Sequence, residues 1–147
     1  MSVSVLFVCL GNICRSPTAH AVFEQLVQRE GLGREIRVDS AGTGSWHIGE
    51  PPDARATEAA MKRGYSMEHQ RARQVQRDDF LHFNYILPMD FDNMAELDAM
   101  RPATFNGELR LFLEFSDKLT EFEVPDPYYG SGDGFDFVEG FGFGTCH

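Results

Sequence analysis

V-L-F-V-C-L-G-N-I-C-R-S-P-T, residues Val5 to Thr18, runs from an apolar stretch through a cysteine into a helical pattern. From Ser4 to Cys9 the chain is almost continuously apolar, as a strand buried on both faces of a parallel sheet must be. Ser16 is suited to cap a helix whose first residue is Pro17. Ala19, Val22, Phe23, Leu26 and Val27 then recur at helical spacing and make one apolar stripe, with Gly31 placed to end it. The stretch therefore predicts strand, tight loop and helix, with a thiol where the loop begins and a guanidinium where it ends.

That arrangement has a chemistry. A tight loop that enters a helix offers successive backbone N–H groups in a concave nest, backed by the positive end of the helix dipole. Arg15 adds a planar fork able to hold two oxygens of a phosphate. Gly11 and Asn12 are the residues best able to take the positive φ that such a loop requires. The same field favours the thiolate of Cys9, and Ser16 is placed to hydrogen-bond its sulfur. A cysteine among apolar neighbours is ordinarily inert core. The C-x5-R-S-P spacing at a strand-to-helix switch argues the other way. The rival phosphate loop needs G-K-[S/T], which this chain lacks there.

Outward from the loop, Glu35 to Ala41 reads as a second strand, followed by the glycine-broken segment G-T-G-S-W-H-I-G-E-P-P. Asp53 can cap a second helix running to Gly64. Asn84 to Met89 is a third strand, with Pro88 marking its end, and a short helix follows from near Asp92 to before Pro102. Glu108 to Phe112 reads as a fourth strand. Strands alternating with helices imply a single α/β domain over residues 1–147, a central four-stranded parallel sheet flanked by helices on both faces, and the phosphate loop between the first strand and the first helix. Ligands in such folds sit at the carboxyl ends of strands, where Cys9 lies. Phe135 to Glu139 could make a helical turn, and residues 140–147, G-F-G-F-G-T-C-H, read as an irregular tail.

The 147 residues carry 23 acids against 13 Lys and Arg, a net charge of −10 that argues against nucleic acid or an anionic membrane as a general partner. The acids crowd the C-terminal end: from Glu114 onward there are eight, with Lys118 the one base. The apolar run at Val5–Leu10 is too short to span a bilayer and no cationic segment precedes it, so the expectation is a soluble cytoplasmic protein without membrane insertion. Three cysteines in this context do not suggest a disulfide framework. The five histidines are scattered, and sequence spacing offers no metal site and calls for no cofactor.

Transfer of a phosphoryl group to a thiolate also requires an acid to protonate the departing oxygen. Asp126, in V-P-D-P-Y-Y, is the best candidate: two prolines stiffen its loop, and Tyr128 and Tyr129 can wall a slot for a flat aromatic group.

The string V-C-L-G-N-I-C-R-S-P strongly resembles the signature of the low-molecular-weight protein tyrosine phosphatases, V-C-x-G-N-I-C-R-S-P. Further similarity lies at Ser40-Ala41-Gly42-Thr43, Trp46-His47-Ile48-Gly49, Pro52-Asp53, Ala72-Arg73-Gln74, Tyr85-Ile86-Leu87, Met89-Asp90 with Asn93, and the D-P-Y-Y segment, so that the resemblance covers about residues 4–139. It implies that Cys9 is the nucleophile, that Arg15 binds the transferred group, that Asn12 and Ser16 order the loop and that Asp126 is the general acid. By the same resemblance Ser40, Asp90 and Asn93 support the loop, and Trp46 lines the substrate pocket. Leu10 and Ile13 are expected in that pocket with Tyr128 and Tyr129. The implied substrate is protein phosphotyrosine or a small aryl phosphate, handled by a monomer. Two departures from the family pattern stand out. Gln70 occupies the place of a loop-supporting histidine, with His69 beside it, and the Gly-Phe tail from Gly140 replaces the continuation of a C-terminal helix. Cys14 sits in the loop where family members with this pair can form a reversible disulfide with the nucleophile; a small packing residue is the alternative reading. An arsenate reductase on a related scaffold, and a phosphotyrosine-binding or redox-sensing module without turnover, are the competing functions.

Overall fold

In the computed structural model, which describes residues 2–112, the elements follow one another as β1 (Val3–Cys9), α1 (Arg15–Arg29), β2 (Ile36–Gly42), α2 (Ala54–Lys62), α3 (Asp79–His82), β3 (Tyr85–Pro88), α4 (Phe91–Met100) and β4 (Glu108–Leu109). All strand pairs are parallel and the sheet order is β2-β1-β3-β4. β1 is continuously apolar because it lies inside the sheet with cover on both faces. Its alternate side chains leave in opposite directions. Val5, Phe7 and Cys9 join a core cluster with Ala19 and Val22 of α1 and Ala56 and Ala60 of α2. Leu6 and Val8 join a second cluster with Phe80 of α3, Ile86 of β3 and Leu97 of α4. Phe7 meets Phe23 and Phe112 edge-on, with ring centroids 5.8 and 5.3 Å away.

The strand order places the site. The chain leaves β1 towards β2 on one side, then returns across β1 to β3 on the other. Connections from β1 and β3 therefore diverge at their carboxyl ends and open a crevice there. Cys9, aligned with Gly42 of β2, stands at that end of β1, and Asp90 follows β3 at the same end.

Local chemistry sets several boundaries. Asp53 caps α2 by accepting from the N–H groups of Arg55 (3.0 Å) and Ala56 (3.1 Å), a stabilisation of about 1 kcal/mol. Gly31, at φ 73°, closes α1, donating its N–H to Gln28. The expected cap of α1 differs: the helix begins at Arg15 with Cys14 at the N-cap, and the Ser16 hydroxyl is turned to other partners. The fourth strand is shorter than the expected Glu108–Phe112 and covers only Glu108–Leu109, since Leu111 and Phe112 go into the core beyond it. α3 was not anticipated; its four residues are too few for a periodic signal. The expected turn at Phe135–Glu139 and the tail at 140–147 lie outside the described residues. No helix of the described residues is long and apolar enough to cross a membrane.

Candidate active site

Cys9 ends β1 and is buried (3% exposed), and two groups address its sulfur. The Asn12 N–H donates to Sγ at 3.2 Å, and the Ser16 Oγ lies 3.0 Å away. Asn12 can turn its amide there because it takes the left-handed backbone, φ 57°. Its side chain is fully committed: Nδ2 donates to Ser16 Oγ at 2.9 Å, and Oδ1 accepts the Arg73 N–H at 2.9 Å. Ser16 thus accepts from Asn12, and its own proton has the sulfur at 3.0 Å and, farther off, the Ala41 carbonyl at 3.4 Å as acceptors. A thiolate has no hydrogen to give, so in that form Ser16 is necessarily the donor.

Four of the loop carbonyls are bonded to groups outside the loop. Cys9 O accepts from Thr43 N–H (2.9 Å), Leu10 O from Gly44 N–H (2.9 Å), Ile13 O from Asp53 N–H (2.6 Å), and Cys14 O from both the N–H and the hydroxyl of Thr18. Carbonyls anchored outward orient the intervening N–H groups to the concave side, which is the geometry of an anion nest. The close approach depends on Gly42. A Cβ there would lie 2.7 Å from Leu10 O and 3.1 Å from Asn12 Cβ. Gly11 is similarly pressed by the His47 ring, whose Cδ2 would be 3.1 Å from an added Cβ.

Arg15 is buried (3% exposed) and its guanidinium donates to Asp90 Oδ2 at 2.8 Å. The other Asp90 oxygen accepts the Asn93 N–H at 2.7 Å and caps α4. The carboxylate therefore fixes Arg15 and starts a helix at once. Asn93 is buried, and its contribution is this N–H.

Behind the loop, Arg73 bridges Asp39 and Asp79, with four N···O contacts of 3.1–3.2 Å. Burial works against its charge, but the bonds from Asp79 and the field of both carboxylates outweigh it and raise the guanidinium above its ordinary value. The Arg73 backbone is bonded to Asn12 on one side and, through its carbonyl, to the Gly42 N–H at 2.8 Å. The ion pair thus holds the segment that holds the loop.

The structure brings Cys9, Gly11, Asn12, Cys14, Arg15, Ser16 and Asp90 together. Cys9 and Cys14 are both buried thiols. Ser40 and Gln70 stand one step further out: Ser40 Oγ contacts His20 Nδ1 (3.2 Å) and Gln70 Oε1 (3.5 Å), and Gln70 Nε2 donates to Pro17 O in the first turn of α1. Leu10 and Ile13 are half-buried at the loop's rim, and Trp46 is 70% exposed, its ring lying over Gly44. Asp126, Tyr128 and Tyr129 lie outside the described residues. Sequence reading missed His47 against Gly11 and the Arg73–Asp39–Asp79 bridge. Family likeness marks Ala72-Arg73-Gln74 but not its role, which no local spacing reveals.

A family model described as low molecular weight phosphotyrosine protein phosphatase matches residues 4–139. The chain belongs to this family. A low molecular weight phosphotyrosine protein phosphatase of Schizosaccharomyces pombe is 44% identical over 135 residues, covering 91% of this chain and 86% of the relative. The low molecular weight protein-tyrosine-phosphatase YfkJ of Bacillus subtilis is 43% identical over 127 residues, 86% of this chain and 81% of its own. A crystal structure of protein tyrosine phosphatase from Entamoeba histolytica superposes with a TM-score of 0.93 at 40% identity, covering 99% of this chain and 92% of that one. The parallel sheet is thus that of a low-molecular-weight protein-tyrosine-phosphatase, and the chain is an enzyme of that class.

Proposed function

We propose that the protein hydrolyses phosphotyrosine in proteins, and small aryl phosphates, through a phosphocysteine intermediate. The Cys9 thiolate attacks phosphorus in line with the departing oxygen. An S–P bond forms, the P–O bond to the aryl group breaks, and Asp126 gives its proton to the leaving phenolate. Arg15 and the loop N–H groups stabilise the charge on the equatorial oxygens. Asp126, now a base, takes a proton from water; the water oxygen bonds phosphorus and thiolate leaves, releasing inorganic phosphate. Trp46, Tyr128 and Tyr129, with Leu10 and Ile13, select a flat aromatic substrate, and the scheme calls for no metal or cofactor. The observation that carries the reading is the Cys9 sulfur held by the Asn12 N–H and the Ser16 hydroxyl in a loop whose Cys9, Leu10, Ile13 and Cys14 carbonyls are bonded to groups outside it.

The thiol chemistry suits a reducing compartment, and we place the enzyme in the cytoplasm as a monomer. The net charge of −10 is consistent with a protein substrate rather than nucleic acid.

Rapid mixing with an aryl phosphate tests the scheme. The wild type should release a burst of phenol, and Cys9→Ser should release none; normal turnover in Cys9→Ser would end the proposal. Asp126→Ala should slow a poor leaving group far more than a good one. Equal slowing of both would remove Asp126 from the acid role.

A further inference from the structure

Three side chains outside the reaction scheme meet on the flank of α1. His20 and Glu24 are one turn apart on that helix, and His69 comes from the segment that follows α2. His20 Nε2 lies 3.4 Å from Glu24 Oε2, and His69 Nε2 lies 3.4 Å from Glu24 Oε1. Ligand atoms from all three residues fall within 4.8 Å of one another. The two rings stand nearly perpendicular, at 88°.

Neither 3.4 Å contact has the length of a good N–H···O bond, which is about 2.7–3.2 Å. Ligands about 2.0–2.1 Å from a tetrahedral zinc are separated by about 3.3–3.4 Å along each edge. Each imidazole nitrogen stands at that distance from the carboxylate, each from a different oxygen, so the three side chains already converge on one point.

The contacts behind the site favour one tautomer of His20. Gln70 Nε2 donates to Pro17 O, so Gln70 Oε1 is the acceptor for the Ser40 hydroxyl. The Ser40 oxygen is then left to accept from His20 Nδ1–H. In the tautomer with its proton on Nδ1, His20 presents the Nε2 lone pair to the Glu24 carboxylate. Two electron-rich groups facing each other need a proton or a metal between them. An imidazole with its second nitrogen hydrogen-bonded to a fixed partner is also how metal-ligating histidines are oriented.

We propose that His20, Glu24 and His69 bind one divalent transition-metal ion, zinc by the N/O donor set, with water completing the shell. His20 is buried and preset, while the His69 side chain is 57% exposed and gives the ion its entry. Two ligands lie on α1 and the third on the segment that carries Arg73. Bound metal therefore clamps the helix after the phosphate loop to the strip that holds Asn12.

The test uses Cys9→Ser protein, so that zinc cannot report on the active-site thiol. Calorimetric titration with zinc chloride should show one equivalent bound, with zinc raising the melting temperature. Adding His69→Ala should weaken that binding tenfold or more and abolish the melting shift, and adding Glu24→Gln should do the same. Melts in chelator establish that each variant is folded, and the exposed His69 keeps the test valid if Glu24→Gln is not. Cobalt should give visible ligand-field bands without thiolate charge-transfer absorption. No zinc binding, affinity unchanged by His69→Ala, or a cobalt–thiolate spectrum would overturn the site.

Discussion

Arg15 donates to Asp90 at 2.8 Å across a separation of 75 residues. The second Asp90 oxygen caps α4 through Asn93. Asparagine is as good a cap as aspartate but carries no charge. Asp90→Asn should therefore keep its melting temperature and lose the pull on the guanidinium. A charge-assisted hydrogen bond is worth about 1.5–3 kcal/mol, so kcat/KM on an aryl phosphate should fall about ten- to hundredfold. Steady-state kinetics beside thermal melts separate the two roles. An unchanged kcat/KM would leave Asp90 as a helix cap alone.

Ser16→Ala removes both the partner of Cys9 Sγ and the acceptor of Asn12 Nδ2. One neutral hydrogen bond contributes about 1 kcal/mol, and the stranded Asn12 amide adds a similar cost, so kcat should drop about tenfold or more. Iodoacetate alkylation of Cys9 should slow in parallel. Cysteine that alkylates at the wild-type rate would show that the hydroxyl does not assist the sulfur.

Gly42→Ala places a methyl 2.7 Å from the Leu10 carbonyl, a backbone atom that cannot swing aside. We expect a loss of about 1–3 kcal/mol in urea denaturation together with loss of turnover, because the displaced backbone is the phosphate loop. Gly33→Ala meets nothing within 4 Å and is the control; it should leave both quantities near wild type.

In metal-free protein, where a proton instead of a metal sits between His20 and Glu24, the Glu24 carboxyl is held below its ordinary 4.5 chiefly by the His20 bond and further by the charges of His20 and His69, against the effect of burial. A carboxyl lowered in the folded state contributes stability above its unfolded value and loses it as pH falls through the folded value. In chelator, Glu24→Gln should accordingly be less stable than wild type near pH 6, with the gap closing as pH drops below about 4. A gap that stays constant down to about pH 3 would mean that packing, not charge, accounts for it.

How far the fold could be read follows from the range of each interaction. The apolar run ending at Cys9 and the capping Asp53 are local signals, and both elements formed where expected. Ser16 misled, since a serine before Pro17 looks like a cap until the sulfur seven residues away claims its hydroxyl. Asp90 and Asn93 entered only through family likeness, because nothing near them in sequence points to Arg15. The Arg73 bridge to Asp39 spans 34 residues and was invisible to any periodicity. His20 and His69 looked scattered because their meeting depends on how α1 packs beside the segment after α2. Asp126, Tyr128 and Tyr129 rest on sequence.

The start of α1 has a thermodynamic consequence. Cys14 stands at its N-cap and supplies no side-chain capping bond, and the serine that could have served is turned to the Cys9 sulfur. The first turn of a helix has four N–H groups without intrahelical partners, and an anion in the loop is the group that answers them. Oxyanion binding and folding are thereby linked: a ligand at a hundred times its Kd adds about 2.7 kcal/mol to stability. Unliganded enzyme is the form more readily unfolded and degraded, so the lifetime of the protein in the cell should lengthen as its substrate accumulates.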